Sequence, residues 1–257
     1  TYIYMAIRRG PMRTPTLGTS VYNAVSQLHT RPQTLNAGFP VDLYVAKGKG
    51  SGDGWTWYDR MRGNNQLLSS ANTNAESNQS TYGADVSGTA QNTVVDRGFD
   101  SVTPADWFFR RAPGFFDVVC WTGNSVSNQT LNHNLAVVPE LIIQKRRSSA
   151  GDWDVLVKIS ASQYGLLYLN STLSLQGQGD TWVYGVTSTT FRRGTFGSNT
   201  SGQTFVSYLF ASCPGVSKVG SYTGTGTTQQ INCGFTGGAR FVLIKRTDST
   251  GDWYVWD

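Results

Sequence analysis

The sequence has little charge and few of the residues that build helices or metal sites. Of its 257 residues, only 14 % are Asp, Glu, Lys or Arg, and it contains two histidines, three cysteines and three methionines. No window is rich in the Ala, Leu, Glu and Lys that favour long helices. The chain instead contains 29 glycines and 12 % aromatic residues. Glycine supplies turns, and aromatic and β-branched residues favour strands, so the composition predicts an all-β protein.

Several classes of protein are disfavoured by what is missing. No apolar run is long enough to cross a bilayer as a helix, and no secretory signal is recognisable. Cys120, Cys213 and Cys233 are far apart and form no Cys-x-x-Cys, which is typical of buried thiols in a reducing compartment rather than of a disulfide framework or a metal site. The net charge of +5 comes mainly from isolated basic doublets. We therefore expect no membrane insertion, no metal, no cofactor and no nucleic-acid partner.

One segment recurs at intervals of about 100 residues. In each copy an apolar run ending in Lys is followed, after a few polar residues, by Gly-Asp and a Trp. The aspartates of the three copies lie 99 and 100 residues apart. The copies comprise residues 40–55, 139–155 and 239–255, with aspartates Asp53, Asp152 and Asp252. Other landmarks keep nearly the same period, which indicates a tandem array.

The dipeptide Pro-Gly, at residues 113–114 and 214–215, divides the array. Residues 1–12 are predicted to be the last strand of a preceding module. Residues 13–113 would form a divergent module, residues 114–214 a second module, and residues 215–257 the first half of a further module. We call the last three segments the first, second and third repeats.

Short apolar or alternating runs, spaced by polar turns, predict strands in the second repeat at residues 116–121, 129–132, 140–145, 153–157, 166–169, 182–184, 190–192 and 204–210. Strands at intervals of about ten residues are typical of a β-sandwich or barrel. No connection is long enough for a crossover helix, which favours antiparallel pairing. The predicted fold is a series of antiparallel, jelly-roll or lectin-like β-sandwich modules of about 100 residues.

No catalytic motif is present. His29 and His133 lie in turn-like surroundings that look roughly equivalent in the repeat, and the third copy has Cys233 at that place. A shared histidine mechanism is therefore disfavoured. The sequence contains no nucleophile elbow, zinc-protease pattern or phosphate loop. Most of its 16 acidic residues fall in turns, although a glycosidase-like carboxylate pair could still converge from distant strands. We expect the protein not to be an enzyme.

The Gly-Asp-Trp element has two interpretations. A turn-borne Trp beside a carboxylate could stack on a sugar ring while the carboxylate accepts hydrogen bonds from its hydroxyls. Alternatively, Gly-Asp forms a hairpin turn and Trp is the first inward residue of the next strand. Recurrence in every copy favours the structural interpretation. The candidate carbohydrate-binding residues are Trp55, Trp57, Asp53, Trp153 and Asp152.

Arginine doublets recur at the ends of predicted strands. Examples are Arg110-Arg111, Arg146-Arg147 and Arg192-Arg193. A guanidinium group binds carboxylates in a bidentate manner, so these residues could pair with acids of a neighbouring subunit or with an anionic glycan. A solvated rim is the simpler interpretation.

Long stretches of the chain resemble a repeat domain of tailed bacteriophages. They are residues 3–9, 109–119, 132–143, 219–226 and 241–254. The resemblance covers nearly the whole chain and implies a virion structural protein of the marine and cyanobacterial phage type, in which such domains often accompany lectin-like modules. It implies no binding residues.

The resemblance leads to a functional expectation. The protein would be a non-enzymatic tail fibre or similar appendage that acts as a spacer and as an adhesin toward host-surface glycans. It would be made in the host cytoplasm and would assemble as a homo-oligomer, plausibly a trimer, with other virion tail proteins. Two alternatives stay open: a purely structural baseplate, tail or capsid-decorating protein without a ligand, and a glycan-degrading tailspike.

Overall fold

The computed structural model describes residues 12–49, 54–86, 92–96, 98–178, 183–194 and 199–257. Within these ranges the regular structure consists of twenty strands and one short 3-10 turn, Gly18–Ser20, and no α-helix occurs. Every strand pair in these ranges is antiparallel. The all-β prediction is confirmed, and the several antiparallel sheets are consistent with a β-sandwich.

The strands of the first repeat are β1 (Tyr22–Val25), β2 (Gln33–Asn36), β3 (Leu43–Gly48), β4 (Thr56–Asp59), β5 (Gln66–Ser69), β6 (Ser77–Asn78), β7 (Ala84–Asp85), β8 (Thr93–Asp96) and β9 (Pro104–Phe109). Those of the second repeat are β10 (Phe116–Thr122), β11 (Gln129–Asn132), β12 (Leu141–Arg146), β13 (Trp153–Lys158), β14 (Tyr164–Tyr168), β15 (Gln176–Gln178), β16 (Val183–Tyr184), β17 (Thr190–Arg193) and β18 (Thr204–Phe210). The third repeat contributes the hairpin β19 (Val242–Lys245) and β20 (Trp253–Trp256).

The same strand order occurs twice. The first repeat has a six-stranded sheet of order β1-β9-β3-β4-β5-β6 and a three-stranded sheet of order β2-β8-β7. The second repeat has β10-β18-β12-β13-β14-β15 and β11-β17-β16, which is the same order shifted by nine strands. The register also corresponds, because Leu43 faces Phe109 and Leu141 faces Phe210. Strands β3 and β12 are therefore equivalent, as are β9 and β18.

Each large sheet packs against its small sheet around a core of its own. In the first repeat this core includes Leu35 and Val94 from the small sheet and Tyr44 and Phe108 from the large sheet. The core of the second repeat has corresponding members: Leu131, Phe191, Ile142 and Leu209. These buried apolar side chains supply the hydrophobic stabilisation of each pair of sheets.

The opposite faces of the two large sheets are also buried, in a third cluster that we call the shared core. It joins residues of the first repeat to residues of the second, and partly buried side chains of the third repeat pack against it. Its members include Val45, Trp57, Trp107, Phe109, Ile143, Trp153, Val155 and Tyr208, with Phe241, Trp253 and Val255 from the third repeat. Burial on both faces explains the nearly continuous apolar run of β12, because such a strand lacks a solvated side.

Type II turns join successive repeats. Phe115 N donates to Ala112 O across Pro113-Gly114, and Val216 N donates to Cys213 O across the second Pro-Gly. Gly114 and Gly215 have φ values of 77° and 73°, which the third position of this turn requires and which glycine adopts without strain.

Candidate functional site

The structure separates the five predicted carbohydrate-binding residues. Asp53 lies outside the described residues, and Asp152 is exposed on a turn, where its carboxylate accepts a hydrogen bond from the Asn170 amide. Trp57 and Trp153 are buried in the shared core, with 9 % and 0 % of their surface exposed and their ring centroids 5.1 Å apart. A buried ring has no face free to stack on a sugar, so the burial of these two rings favours the structural interpretation.

Strand register identifies the equivalent of Trp153 in the first repeat. Lys145 pairs with Trp153 across β12 and β13, and Lys245 pairs with Trp253 across β19 and β20. Extending the register of β3 and β4 by one residue places Lys47 opposite Trp55, and the Lys47 ammonium lies 5.8 Å from the centre of that ring. Trp55, which is partly buried, therefore corresponds to Trp153.

The Lys–Trp pair of the second repeat binds backbone carbonyls of the first. Trp153 Nε1 donates to Ser69 O at 2.9 Å, and Lys145 Nζ donates to Thr73 O at 3.0 Å as well as to its own turn at Gly151 O. The Gly151 amide also donates to Thr73 O, at 2.9 Å. Burial lowers the pKa of Lys145 to about 8, so the amine stays largely protonated at neutral pH and these are charge-assisted bonds.

The third repeat binds the second in the same way. Trp253 Nε1 donates to Tyr168 O at 2.8 Å, and Lys245 Nζ donates to Thr172 O at 2.9 Å and also to Gly251 O. Gly251 N donates to Thr172 O. Trp153 and Trp253 thus have equivalent hydrogen-bond partners, although Trp153 is fully buried and Trp253 is partly exposed. Each tryptophan contacts β5 or β14 of the preceding repeat.

A buried ionic network reinforces the contact between the first two repeats. The buried Arg62 side chain pairs with Asp59 and with Glu76, the latter at 2.8 Å. Arg147 of the second repeat forms a bidentate pair with Glu76 at 2.8 and 3.0 Å. Burial would raise the pKa of Glu76, but its hydrogen bonds to Arg147 and Arg62 outweigh that effect and lower it. Two arginines of the predicted doublets thus pair with acids of a neighbouring repeat of the same chain, since Arg111 also lies 3.7 Å from Asp117.

This network is specific to the first interface. At the second interface Leu175 takes the place of Glu76, and its amide donates to Thr247 O just as the Glu76 amide donates to Arg147 O. The backbone contact is conserved between the two interfaces while the charge pair is replaced by an apolar and a hydroxyl side chain. The docking geometry therefore resides in the backbone bonds and the Lys–Trp pairs.

A third contact of the same kind joins the third repeat to the first. Tyr208 Oη donates to Asp59 across the first interface at 2.8 Å, and Trp107 Nε1 donates to Asp257. Trp107 and Tyr208 are equivalent by register, since they face Val45 and Ile143. Asp257 follows β20 at the position that Asp59 occupies in β4. The three repeats therefore contact one another cyclically around the shared core.

The two histidines are not equivalent, which corrects the interpretation from sequence. His29 precedes β2, whereas His133 directly follows β11, and β2 and β11 are equivalent strands. His29 is fully buried, with Nδ1 3.1 Å from Asp96 and Nε2 3.0 Å from Asp106. Burial would lower its pKa, but the hydrogen bonds to Asp106 and Asp96 outweigh burial and raise it to about 9.

His29 therefore binds two carboxylates inside the first repeat, and Tyr44 Oη donates to the second of them, Asp106, at 2.7 Å. Both ring nitrogens of the histidine are engaged, and all four side chains are buried. Such a satisfied polar cluster fixes its strands and has no group free to meet a substrate. Sequence reasoning missed it because the carboxylates lie 67 and 77 residues from His29.

The described ranges hold no group of three or more His, Cys, Asp or Glu side chains arranged to hold a metal ion. The same ranges contain no helix that is long and apolar enough to span a membrane. Burial raises the pKa of the Cys120 thiol to about 11, so it is protonated at neutral pH and is a poor nucleophile.

Comparison with known proteins places part of the chain in a family. A family model described as a domain of unknown function, DUF7483, matches residues 111–257. No curated protein and no solved structure matches the chain. The matched region begins close to the first Pro-Gly turn and includes the second repeat and the hairpin of the third.

Proposed function

We propose that the chain, which belongs to the DUF7483 family of domains of unknown function, is a non-enzymatic structural component of a bacteriophage particle, within a tail fibre or similar appendage, as the resemblance of its repeats to a domain of tailed bacteriophages implies. Its successive antiparallel sandwich modules, of jelly-roll or lectin-like type, would act as a rigid spacer. Association into a homotrimer with other tail proteins, after synthesis in the host cytoplasm, is part of this proposal.

One observation carries the spacer role: consecutive repeats are joined by the same set of backbone and side-chain bonds. Trp153 and Trp253 bind carbonyls of the preceding repeat, and Lys145 and Lys245 bind the loop beyond. Interfaces between independently moving domains are smaller and more polar than a continuous core. A shared core with aromatic contacts favours repeats that move as one rigid body, as a spacer requires.

The groups available for chemistry support a role without catalysis. The buried titratable clusters around His29 and Arg62 are satisfied internally, so their groups are engaged within the protein. A glycan-degrading tailspike would require a carboxylate pair facing an open cleft. Release of reducing sugar from host polysaccharide by the purified chain would establish that alternative and refute the proposal of a non-enzyme.

Glycan adhesion is retained as a separate hypothesis on the two candidates that remain accessible, Trp55 and Asp152. They belong to different repeats, so each would be tested alone. Trp55→Ala or Asp152→Ala should abolish retention on an array of host-surface glycans if its residue binds sugar. Unchanged retention of both variants, or no retention of the unmodified chain, would leave a structural protein without a ligand.

The virion assignment is tested by location. Gold-labelled antibodies against the purified chain should decorate the tail or an appendage of purified phage particles that carry its gene. The matched control is the same preparation with the antibodies preabsorbed on the chain. Particles that lack the protein, both by labelling and by mass spectrometry, would overturn the assignment. Label confined to the baseplate or capsid would refute the tail-fibre hypothesis and favour the alternative of a structural baseplate or capsid-decorating protein.

A further inference from the structure

The points at which the polypeptide enters its three repeats lie close together. Cys213, beside the second Pro-Gly turn, donates from Sγ to Pro15 O, at the start of the first repeat, at 3.6 Å. Gly114, in the first Pro-Gly turn, is so near to both segments that an added Cβ would lie 3.4 Å from Thr14 Cγ2 and 3.8 Å from Cys213 Sγ. We call these four residues the entry hub.

Strand register explains why the chain returns to the entry hub. The first strand of the second repeat, β10, pairs with its last strand, β18, over seven residue pairs that begin with Phe116 opposite Phe210. The first repeat has the same arrangement, since β1 pairs with β9 and Tyr22 faces Phe109. Because both strand pairs are antiparallel, the chain enters and leaves each repeat at the same end of one strand pair.

Aromatic rings pack at this end of the strand pairs. The ring centroids of Phe116 and Phe210 are 4.8 Å apart, and Phe109 lies 5.8 Å from the first ring and 6.0 Å from the second. The three rings connect the exit of the first repeat to both ends of the second. Tension that passes along the polypeptide therefore crosses the second repeat at its first residue pair, and the rest of the repeat lies beside the path of the tension.

The direction of tension decides how β10 and β18 separate. Hydrogen bonds of an antiparallel pair are perpendicular to the strands. Tension applied to both strands at the same end pulls along these bonds and loads them one after another, beginning at Phe116. Tension applied at opposite ends acts along the strands and loads all seven residue pairs together. The fold places tension along its own polypeptide in the first arrangement, which resists less.

The position of β10 in its sheet lets it leave without the other strands. Among the described strands it pairs with β18 alone, at one edge of the six-stranded sheet, and β18 keeps its pairing with β12. The next strand, β11, belongs to the small sheet, and residues 123–128 between the two form no strand. Val118 of β10 packs in the shared core, so burial of apolar surface draws the strand back when tension falls.

We propose that β10, with β1 as its counterpart in the first repeat, is a strap that tension releases. Tension along the polypeptide peels the strap from β18, beginning at the entry hub, and lengthens the chain while the other strands of the repeat stay folded. When the tension falls, the strap pairs again. Repeats built in this way resist bending through their shared core but yield along the chain. This inference concerns the mechanics of the repeats and does not depend on the virion assignment.

Stretching of single molecules in optical tweezers compares the two directions of loading. The full chain carries azide-bearing residues at two positions, to which DNA handles are coupled. Handles at Pro113 and Lys218 load β10 and β18 from the hub end, whereas handles at Thr122 and Lys218 load them from opposite ends. The first arrangement should open at about half the force of the second or less, because its bonds are loaded one at a time. Equal opening forces would overturn the proposal. If the residue at Pro113 prevents folding, Arg110 takes its place, since it lies on the same side of the hub.

The length of the first opening identifies what is released. Release of residues 114–128 lengthens the chain by about 50 Å, whereas release of residues 114–210 lengthens it by about 340 Å, at roughly 3.5 Å per residue. Loaded from the hub end, the molecule should open first by the short step and close again on relaxation. A single step of the greater length would show that β10 does not separate from its sheet alone, and would overturn the proposal.

Two buried substitutions distinguish the strap from the rest of the repeat. Val118→Ala removes apolar contact between β10 and the shared core, and should shorten the lifetime of the closed strap at constant force about tenfold. The matched control is Leu156→Ala, on β13 in the core of the second repeat, which should weaken the later steps and leave the first unchanged. An equal effect of both substitutions on the first step would refute its assignment to β10.

Discussion

Tyr208 of the second repeat donates a buried hydrogen bond of 2.8 Å to Asp59 of the first, although the two residues are 149 positions apart in sequence. Asp59 is also paired with the buried Arg62 side chain. The bond thus connects a central strand of one repeat to the ionic network of the other. The interface between the repeats is as specific in its polar contacts as the interior of a single sandwich.

Removing that hydroxyl should weaken the whole molecule. Tyr208→Phe leaves the ring in place and deprives the Asp59 carboxylate of one donor, so we expect a loss of about 1–3 kcal/mol in the free energy of unfolding. Urea denaturation measures it. Tyr184→Phe is the matched control, since its hydroxyl bonds Asn128 at the surface, and should cost less than about 0.5 kcal/mol. Equal losses would contradict the role given to the bond.

Trp153 should be among the most sensitive positions in the chain. Trp153→Ala removes a fully buried ring and should cost about 3–5 kcal/mol, measured by thermal or denaturant unfolding. Trp153→Phe keeps most of the apolar contact but loses the bond to Ser69 O, and should cost less. The control Leu28→Ala, at a side chain that is 61 % exposed, should have little effect. A small loss for Trp153→Ala would refute the shared core.

The two ends of the inter-repeat salt bridge should respond differently. Glu76→Gln leaves the buried Arg62 guanidinium without one of its charged partners and should lower the free energy of unfolding by about 3 kcal/mol. Arg147→Gln should cost less, because the arginine side chain is 21 % exposed and Glu76 keeps its contact with Arg62. Urea unfolding measures both losses. A larger loss for Arg147→Gln than for Glu76→Gln would show that Arg147, and not Arg62, is the main partner of the Glu76 carboxylate.

The stability of the first repeat should fall in mildly alkaline solution. The pKa of His29 is raised from 6.5 to about 9 by Asp106 and Asp96 despite its burial. The contribution of His29 to the free energy of unfolding is therefore fully present below pH 6.5. It is lost as the pH rises toward 9, and the loss amounts to about 3 kcal/mol.

The test compares the free energies of unfolding of the native chain and of His29→Gln between pH 6 and pH 9, because Lys145, whose pKa is lowered to about 8, contributes with the opposite sign in both proteins. The native chain should lose about 3 kcal/mol more than the variant over this range. An equal pH dependence of the two proteins would contradict the charged state assigned to His29.

Much of the strand pattern was predictable because short strands are set by local alternation and turn residues. The predicted strands at 129–132 and 204–210 match β11 and β18 residue for residue. Strand β15, Gln176–Gln178, was not predicted, because glutamine and glycine carry little strand signal. It forms through pairing with β14, with a register shift at Gly165. The formation of β15 therefore depends on its pairing with β14, and no local sequence pattern predicts it.

The second face of the large sheets was the part of the fold that sequence reasoning did not find. Apolar residues occur at both odd and even positions of β12, so both faces of the strand are apolar. This pattern is typical of a central strand, but it does not show what covers each face. Ile142 faces the core of its own repeat, while Ile143 faces the shared core. An inward position of Trp153 could be inferred from its place after Gly-Asp, but its partner Ser69 belongs to another repeat. The register of the strands agrees with the alignment of the Gly-Asp elements, since its extension places Trp55, and not Trp57, opposite Lys47.

Burial of the large sheets on both faces has a consequence for how such a protein can change. A repeat cut out by itself, residues 114–214 for instance, would expose Ile143, Trp153, Val155 and Tyr208 to water and would present a sticky, aggregation-prone surface. Insertion or deletion of one copy would create the same defect within a longer polypeptide. The smallest piece that can be gained, lost or exchanged without exposing this surface is then larger than a single repeat, so neighbouring copies are expected to evolve together.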